Sequence, residues 1–319
     1  MYSTINSPEF NPHKLHLSFT LGYTKIMITP HEELAPLAQT LGLAKLFIKR
    51  EDLHPYGSHK GRSLPHMIDR YVELGNTHFV ISSSGNAARA SLLHIKKLNT
   101  SREQKLTLVI LVGLHINEEK FSFLRENLDS SITLVQVERP LQELKKLESE
   151  GYVSLRQSTD NSALHGYESL AAELLEIKDL KSVFIPASSG TCAEAIGRYF
   201  KNARADISLF IVQTDTCHPI VSSLGGSTYE TLSLEEESLA DAIVDIVGHR
   251  KHSLGEVVAD TGGAGVIVTN TYIQSAQQKL KENGVEATGN GALALAGLLA
   301  YQERNSRALG VTCCILCGK

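Results

Sequence analysis

No apolar stretch in this 319-residue sequence is long enough to cross a bilayer, because polar or charged residues break the longer ones well short of a span. An excess of one charge is also missing. Lys and Arg total 31 against 35 Asp and Glu, a formal net charge of -4, so neither nucleic acid nor an anionic membrane is an expected partner. The opening residues, MYSTINSPEFNPHKLHLSF, hold no basic region followed by an apolar one and do not read as a signal peptide. Cysteine is scarce and unsuited to a disulfide framework: of five, Cys313, Cys314 and Cys317 crowd one end. Reduced thiols and a cytoplasmic location are the expectation. There is no repeat of fixed period and no low-complexity segment.

What is present is the composition of an ordinary soluble globular protein, 42% hydrophobic and 21% charged, with length for about two domains. Short apolar, β-branched runs recur at 45–49, 78–82, 106–112, 132–137, 182–186, 208–213, 265–269 and 311–317. Helical patterns occupy 31–42, 85–99, 165–177, 270–284 and 289–303, with Asn270 suited to a start and Gly284 to a stop. Strands apolar on both faces and separated by helices predict a doubly wound α/β fold in two lobes, its sheets mostly parallel. Ligands in such folds bind beyond the carboxyl ends of the strands, so the loops after those runs matter most.

Four of these loops carry chemistry. After the first run, GSHKGR places Lys60 at the mouth of a helix, where the positive dipole end disfavours an ammonium. Ser83-Ser84-Gly85-Asn86 follows the second run, and Ala187-Ser188-Ser189-Gly190-Thr191 follows the fifth. Both lead into helices and suit an anion held by backbone N–H groups. Cys317 ends the last run and Gly318 follows it. Taken singly, such residues are ordinary loop and cap chemistry, and a lone lysine is usually a solvated one. The terminal thiols point alternately to opposite faces of a strand, which argues for buried inert cysteines and against a metal site. TGGAGV at 261–266 has its glycines in the wrong order for a dinucleotide loop, and GSHKGR lacks the spacing of a nucleotide P-loop.

Taken together and in order, the motifs resemble the pyridoxal-phosphate enzymes of fold type II, the tryptophan synthase β-subunit superfamily. KREDLHPYGSHKGR is similar to its lysine motif, SSSGNAARA to its Ser-Gly-Asn motif and PASSGTCAEAIG to its phosphate loop. VEATGNGALALAGLLA and CILCGK match its closing helix and strand, so the resemblance runs from about Thr29 to the end. It implies pyridoxal 5'-phosphate in a cleft between two lobes, joined to Lys60 as a Schiff base, with Lys60 then moving protons at the substrate α-carbon. It further implies that Ala187, Ser188, Ser189, Gly190 and Thr191 hold the phosphate and that Asn86 meets the phenolic oxygen. Ser83, Ser84 and Gly85 would take the substrate carboxylate, and Cys317 would face the ring nitrogen. A large domain of 1–63 and 155–319, a small one of 64–154, a homodimer and an amino-acid substrate complete these expectations.

The activity so implied is elimination or replacement on an amino acid with a β or γ leaving group. Threonine synthase-like and serine or threonine ammonia-lyase chemistry come first, with a cysteine synthase or desulfhydrase, or a non-catalytic cofactor-binding regulator, as alternatives. Gly61 stands where many relatives carry Asp or Ile, and His59 is the residue found in tryptophan synthase β-subunits.

Overall fold

The computed structural model describes residues 27–83, 85–224, 228–229 and 237–318. All eight apolar runs are strands, and they divide between two sheets. The larger sheet contains β1 (His31–Glu33), β2 (Lys45–Arg50), β7 (Leu180–Pro186), β8 (Ser208–Thr214), β9 (Thr228–Tyr229), β10 (Ala264–Val268) and β11 (Val311–Leu316), in the order β1-β2-β11-β7-β8-β10-β9. The smaller sheet contains β3 (His78–Ser82), β4 (Thr107–Val112), β5 (Ile132–Gln136) and β6 (Val153–Ser154), in the order β5-β4-β3-β6. Every pairing is parallel except that of β1 with β2.

Helices cover both faces of each sheet, as strands apolar on both sides require. Cys314 and Leu316 of β11 pack with α1 (Ala35–Thr40), α10 (Asn270–Glu282) and α11 (Gly289–Arg304). Cys313 and Ile315 face the other way, with Cys317 beyond the strand, toward α7 (Glu168–Leu175), α8 (Thr191–Asn202) and α9 (Lys251–Thr261). All five cysteines are free and buried, and those of β11 alternate as the period of a strand demands. The small sheet carries α2 (Lys60–Glu73), α3 (Asn86–Asn99) and α4 (Glu118–Glu126) on one side and α5 (Pro140–Ser149) on the other. A one-turn α6 (Ser162–His165) precedes α7.

One helix boundary differs from expectation. The pattern at 31–42 reads as a single helix, yet His31–Glu33 form an antiparallel edge strand and the helix begins at Ala35. Pro36 explains this, since it is tolerated only in a helix's first turn and would break an interior that began at His31. Cross-strand pairs then hold the strand: Glu33 with Lys45 at 3.3 Å and Glu32 with Arg50 at 2.9 Å. Gly284 follows α10 with φ of +79°, the stop expected of it. Asn270 opens that helix, but its side chain is spent on Leu239 N–H (2.8 Å) and the Glu237 carbonyl (2.9 Å).

Strand order matters most for the site. The last strand in the chain, β11, lies between β2 and β7, so the loops that leave these three strands are neighbours. A single antiparallel bridge between Ser58 and Gly318 ties two of them together.

Candidate active site

A cleft of about 500 Å³ opens between the two sheets, within the size range of small-molecule sites. Lys60, Ser83, Gly85, Asn86, Ala187–Thr191 and Cys317 all line it. Of the residues singled out from sequence, Ser84 lies outside the described residues.

Lys60 is the first residue of α2, and its Nζ donates to Gln157 Oε1 at 2.7 Å. Burial lowers its pKa below the usual lysine value, opposed in part by Cys192, Cys317 and Asp245. The neutral amine is thereby favoured, which resolves the conflict between a lysine and the positive end of a helix. Beside it, His59 Nδ1 lies 2.7 Å from the Cys317 carbonyl. A carbonyl only accepts, so Nδ1 carries the hydrogen. Burial, with the Lys60 charge adding to it, pushes the imidazole down to about 3, and the ring is neutral. It stacks on Tyr167 at 5.8 Å between centroids. Gly61 has no room for a side chain, because a Cβ there would lie 2.2 Å from the His54 ring.

The loop after β7 has the geometry of an anion cradle. Gly190 caps α8 with φ of +81°, a left-handed conformation that suits glycine, and an added Cβ would meet Leu254 Cδ1 at 2.3 Å. Glu194 N–H makes the bond back to Gly190 O at 2.9 Å, so the amides just ahead of it have no carbonyl a turn earlier to bond. Ser188 Oγ accepts from Val244 N–H (3.1 Å) and Asp245 N–H (3.2 Å), which leaves its own proton to donate. Thr191 is differently placed from a simple phosphate ligand. Its hydroxyl donates to the Gln157 carbonyl (3.1 Å) and accepts from Arg250 Nε (3.1 Å), leaving its backbone N–H for an anion.

Gln157 lines the cleft, and Arg250 and Tyr167 both bond to it, yet none of the four loop motifs contains them. The buried Arg250 guanidinium reaches Glu194 (2.8 Å), Asn161 (3.2 Å) and the carbonyls of Gln157 and Asp160 (both 2.9 Å). It thereby pairs with the one acidic residue in the first turn of α8, which would otherwise oppose an anion at that helix end. Next to the cradle, beyond β11, Cys317 is a neutral thiol, pushed up to about 12 by burial and by Glu51. At the cleft mouth, Lys120 of α4 pairs with Asp241 at 2.5 Å, joining the small-sheet unit to the segment that precedes α9.

A pocket with a buried lysine whose pKa is lowered, a backbone cradle for an anion and a neutral thiol is suited to a phosphorylated aldehyde cofactor. The comparisons agree. The chain belongs to the pyridoxal-phosphate dependent enzyme family, which matches it over residues 23–318. Pyridoxal phosphate is the cofactor of that family, and the residues present fit it. Threonine dehydratase from Nicotiana attenuata is 27% identical over 287 residues, covering 88% of this chain but 46% of that protein. The chain therefore spans about half the length of that relative. Threonine synthase from Methanosarcina acetivorans is 24% identical over 288 residues, covering 85% of this chain and 68% of the synthase. Among solved structures, threonine deaminase isoform 2 from Solanum lycopersicum has a TM-score of 0.75 at 22% identity, covering 91% of this chain and 83% of that one. Maize serine racemase has a TM-score of 0.76 at 20% identity, covering 91% and 87%. At such identities the likeness is one of fold.

Among the described residues no helix is long and apolar enough to cross a membrane.

Proposed function

We propose that the protein catalyses elimination or replacement on an amino acid bearing a β or γ leaving group. The carrying observation is that the loops after β2, β11 and β7 place Lys60, Cys317 and the Ala187–Thr191 cradle on one cleft. Pyridoxal phosphate, when bound, supplies the electron sink for breaking bonds at the substrate α-carbon. Lys60 is the attachment amine and afterwards carries the proton taken from that carbon, a task suited to a group whose pKa burial has lowered. The free amides at the start of α8 and the Ser188 hydroxyl grip the phosphate. Asn86 offers its amide to the phenolic oxygen, and the Ser83–Gly85 loop takes the substrate carboxylate.

Cys317 argues for the reaction class. A neutral thiol facing the ring nitrogen would not keep that nitrogen protonated, and the ring would then be a weaker sink for negative charge at the α-carbon. Prompt departure of a leaving group from a neighbouring carbon suits such a site better than transamination does. We take residues 64–154 as the small domain, closing on substrate to exclude water, with the Lys120–Asp241 pair bridging the gap.

The test is to incubate the holoprotein with L-serine, L-threonine, O-acetylserine and O-phosphohomoserine and to identify the products. A 2-oxo acid with ammonia supports elimination, and a new amino acid supports replacement. D-isomers alone, or unchanged substrate throughout, would sink the proposal.

A further inference from the structure

Gln157 has no place in the roles assigned above, yet it touches the two parts of the site that must agree. It is buried, at 6% exposure, in the loop that follows β6. Its side-chain oxygen accepts from Lys60 Nζ at 2.7 Å. Its backbone carbonyl accepts from Thr191 Oγ1 at 3.1 Å and from Arg250 Nη2 at 2.9 Å. One residue thus connects the amine to the anion cradle.

We propose that Gln157 is the positioning residue for Lys60: its amide oxygen takes one N–H of the amine and so leaves the nitrogen lone pair free to attack the cofactor aldehyde. The inference rests on Lys60 being the attachment lysine. Attachment joins the amine nitrogen to the aldehyde carbon, while the two amine hydrogens and the aldehyde oxygen leave as water. That bond needs the lone pair of a neutral amine.

The geometry fixes which end of the amide faces the lysine. Ser63 Oγ donates to the Ala163 carbonyl at 2.7 Å and also bonds Tyr167, so it takes the tyrosine proton; Tyr167 Oη then accepts from Gln157 Nε2 at 3.2 Å, and Oε1 is the end left for Nζ. Tyr167 is in turn held by its stack on His59, whose Nδ1–H is bonded to the Cys317 carbonyl. Were the amide reversed, its N–H would bind the lone pair and block attack. A carboxylate in the same place would draw a proton onto the amine, because an opposite charge within a few ångströms favours the charged form. The neutral acceptor is the choice that avoids both outcomes. The other titratable or charged groups around Lys60 are Cys192 of α8, Cys317 beyond β11, Asp245 ahead of α9, Tyr167 ahead of α7, and His59 and Arg62 on its own segment. Burial pushes the two thiols far up, so they stay neutral, which leaves Asp245 as the carboxylate in that set.

The experiment strips the cofactor, adds pyridoxal phosphate back across a pH series, traps the link with borohydride and maps the labelled peptide. Gln157→Glu should move the pH midpoint of trapping up by about one to two units. Tyr167→Phe frees the amide to reverse; it should slow attachment roughly two- to tenfold at an unchanged midpoint. A folded Gln157→Glu protein with the wild-type midpoint overturns the inference. Should that variant not fold, a Tyr167→Phe protein attaching cofactor at the wild-type rate overturns it instead. A wild-type label that maps to a lysine other than Lys60 removes the underlying reading as well, and so separates the two failures.

Discussion

Replacing Glu51 with glutamine tests the buried charge cluster that anchors α2, and with it Lys60. Glu51 is fully buried, and both its oxygens accept from Arg62 at 2.7 Å. Arg62 also reaches Glu173 at 2.6 Å, and Glu173 pairs with the buried Lys49 at 2.5 Å. Two cations and two carboxylates therefore balance, and Glu51→Gln leaves one uncompensated positive charge in the interior at almost no change in shape. Breaking such a pair costs about 3–5 kcal/mol, a large fraction of the 5–15 kcal/mol that holds a typical domain. With about 2.1 cal/mol/K of unfolding entropy per residue, 319 residues give roughly 0.7 kcal/mol/K, so the melting temperature should fall by roughly 4–8 °C. Calorimetry on the cofactor-free protein measures this.

The sign of the pH dependence follows from Glu51. Burial pushes its pKa up, but the Arg62 hydrogen bonds and charge outweigh this and hold it below 4.5. The stabilisation is thus present above the ordinary carboxylate range and is lost as pH falls through the lowered folded value. The gap between wild type and variant should narrow in acid. Adding Lys49→Met to the variant restores charge balance and should recover part of the loss. A single variant within about 1 kcal/mol of wild type, or a double variant weaker by the full cost of Lys49→Met alone, would refute the charge-balance argument.

Gly190→Ala should weaken pyridoxal phosphate binding at least tenfold by equilibrium dialysis. The left-handed φ strains an alanine by about 1–2 kcal/mol, and its methyl strikes Leu254; unchanged affinity would place the phosphate elsewhere. Lys60→Ala should abolish the borohydride-trappable link. Cys317→Ser should keep turnover, because both groups are neutral, whereas Cys317→Asp should slow product formation in the amino-acid panel; a faster aspartate variant would defeat the argument from the ring nitrogen. Lys120→Met should cost under about 1 kcal/mol in urea titration, since both partners of that pair are partly exposed.

The strands and the loops that follow them were legible because a parallel strand covered on both faces has to be apolar throughout. The runs at 78–82 and 182–186 end where β3 and β7 end, and the small residues beyond each belong to the cleft. His31–Glu33 was not legible: three residues with a helical pattern become a strand only because β2 offers them partners across the edge. Gln157 and Arg250 were invisible for a related reason. They sit in segments with no periodicity, and their importance comes from partners 97 and 59 residues away in the chain. The lysine motif, the cradle and the terminal cysteine can each be recognised by local residue type, because helix mouths, left-handed glycines and strand alternation are local physics. That they face one another depends on β11 inserting between β2 and β7, and the state of the Lys60 amine depends on what surrounds it. Both are set by long-range packing, because desolvation and charge proximity are properties of a neighbourhood that the chain builds only when it folds.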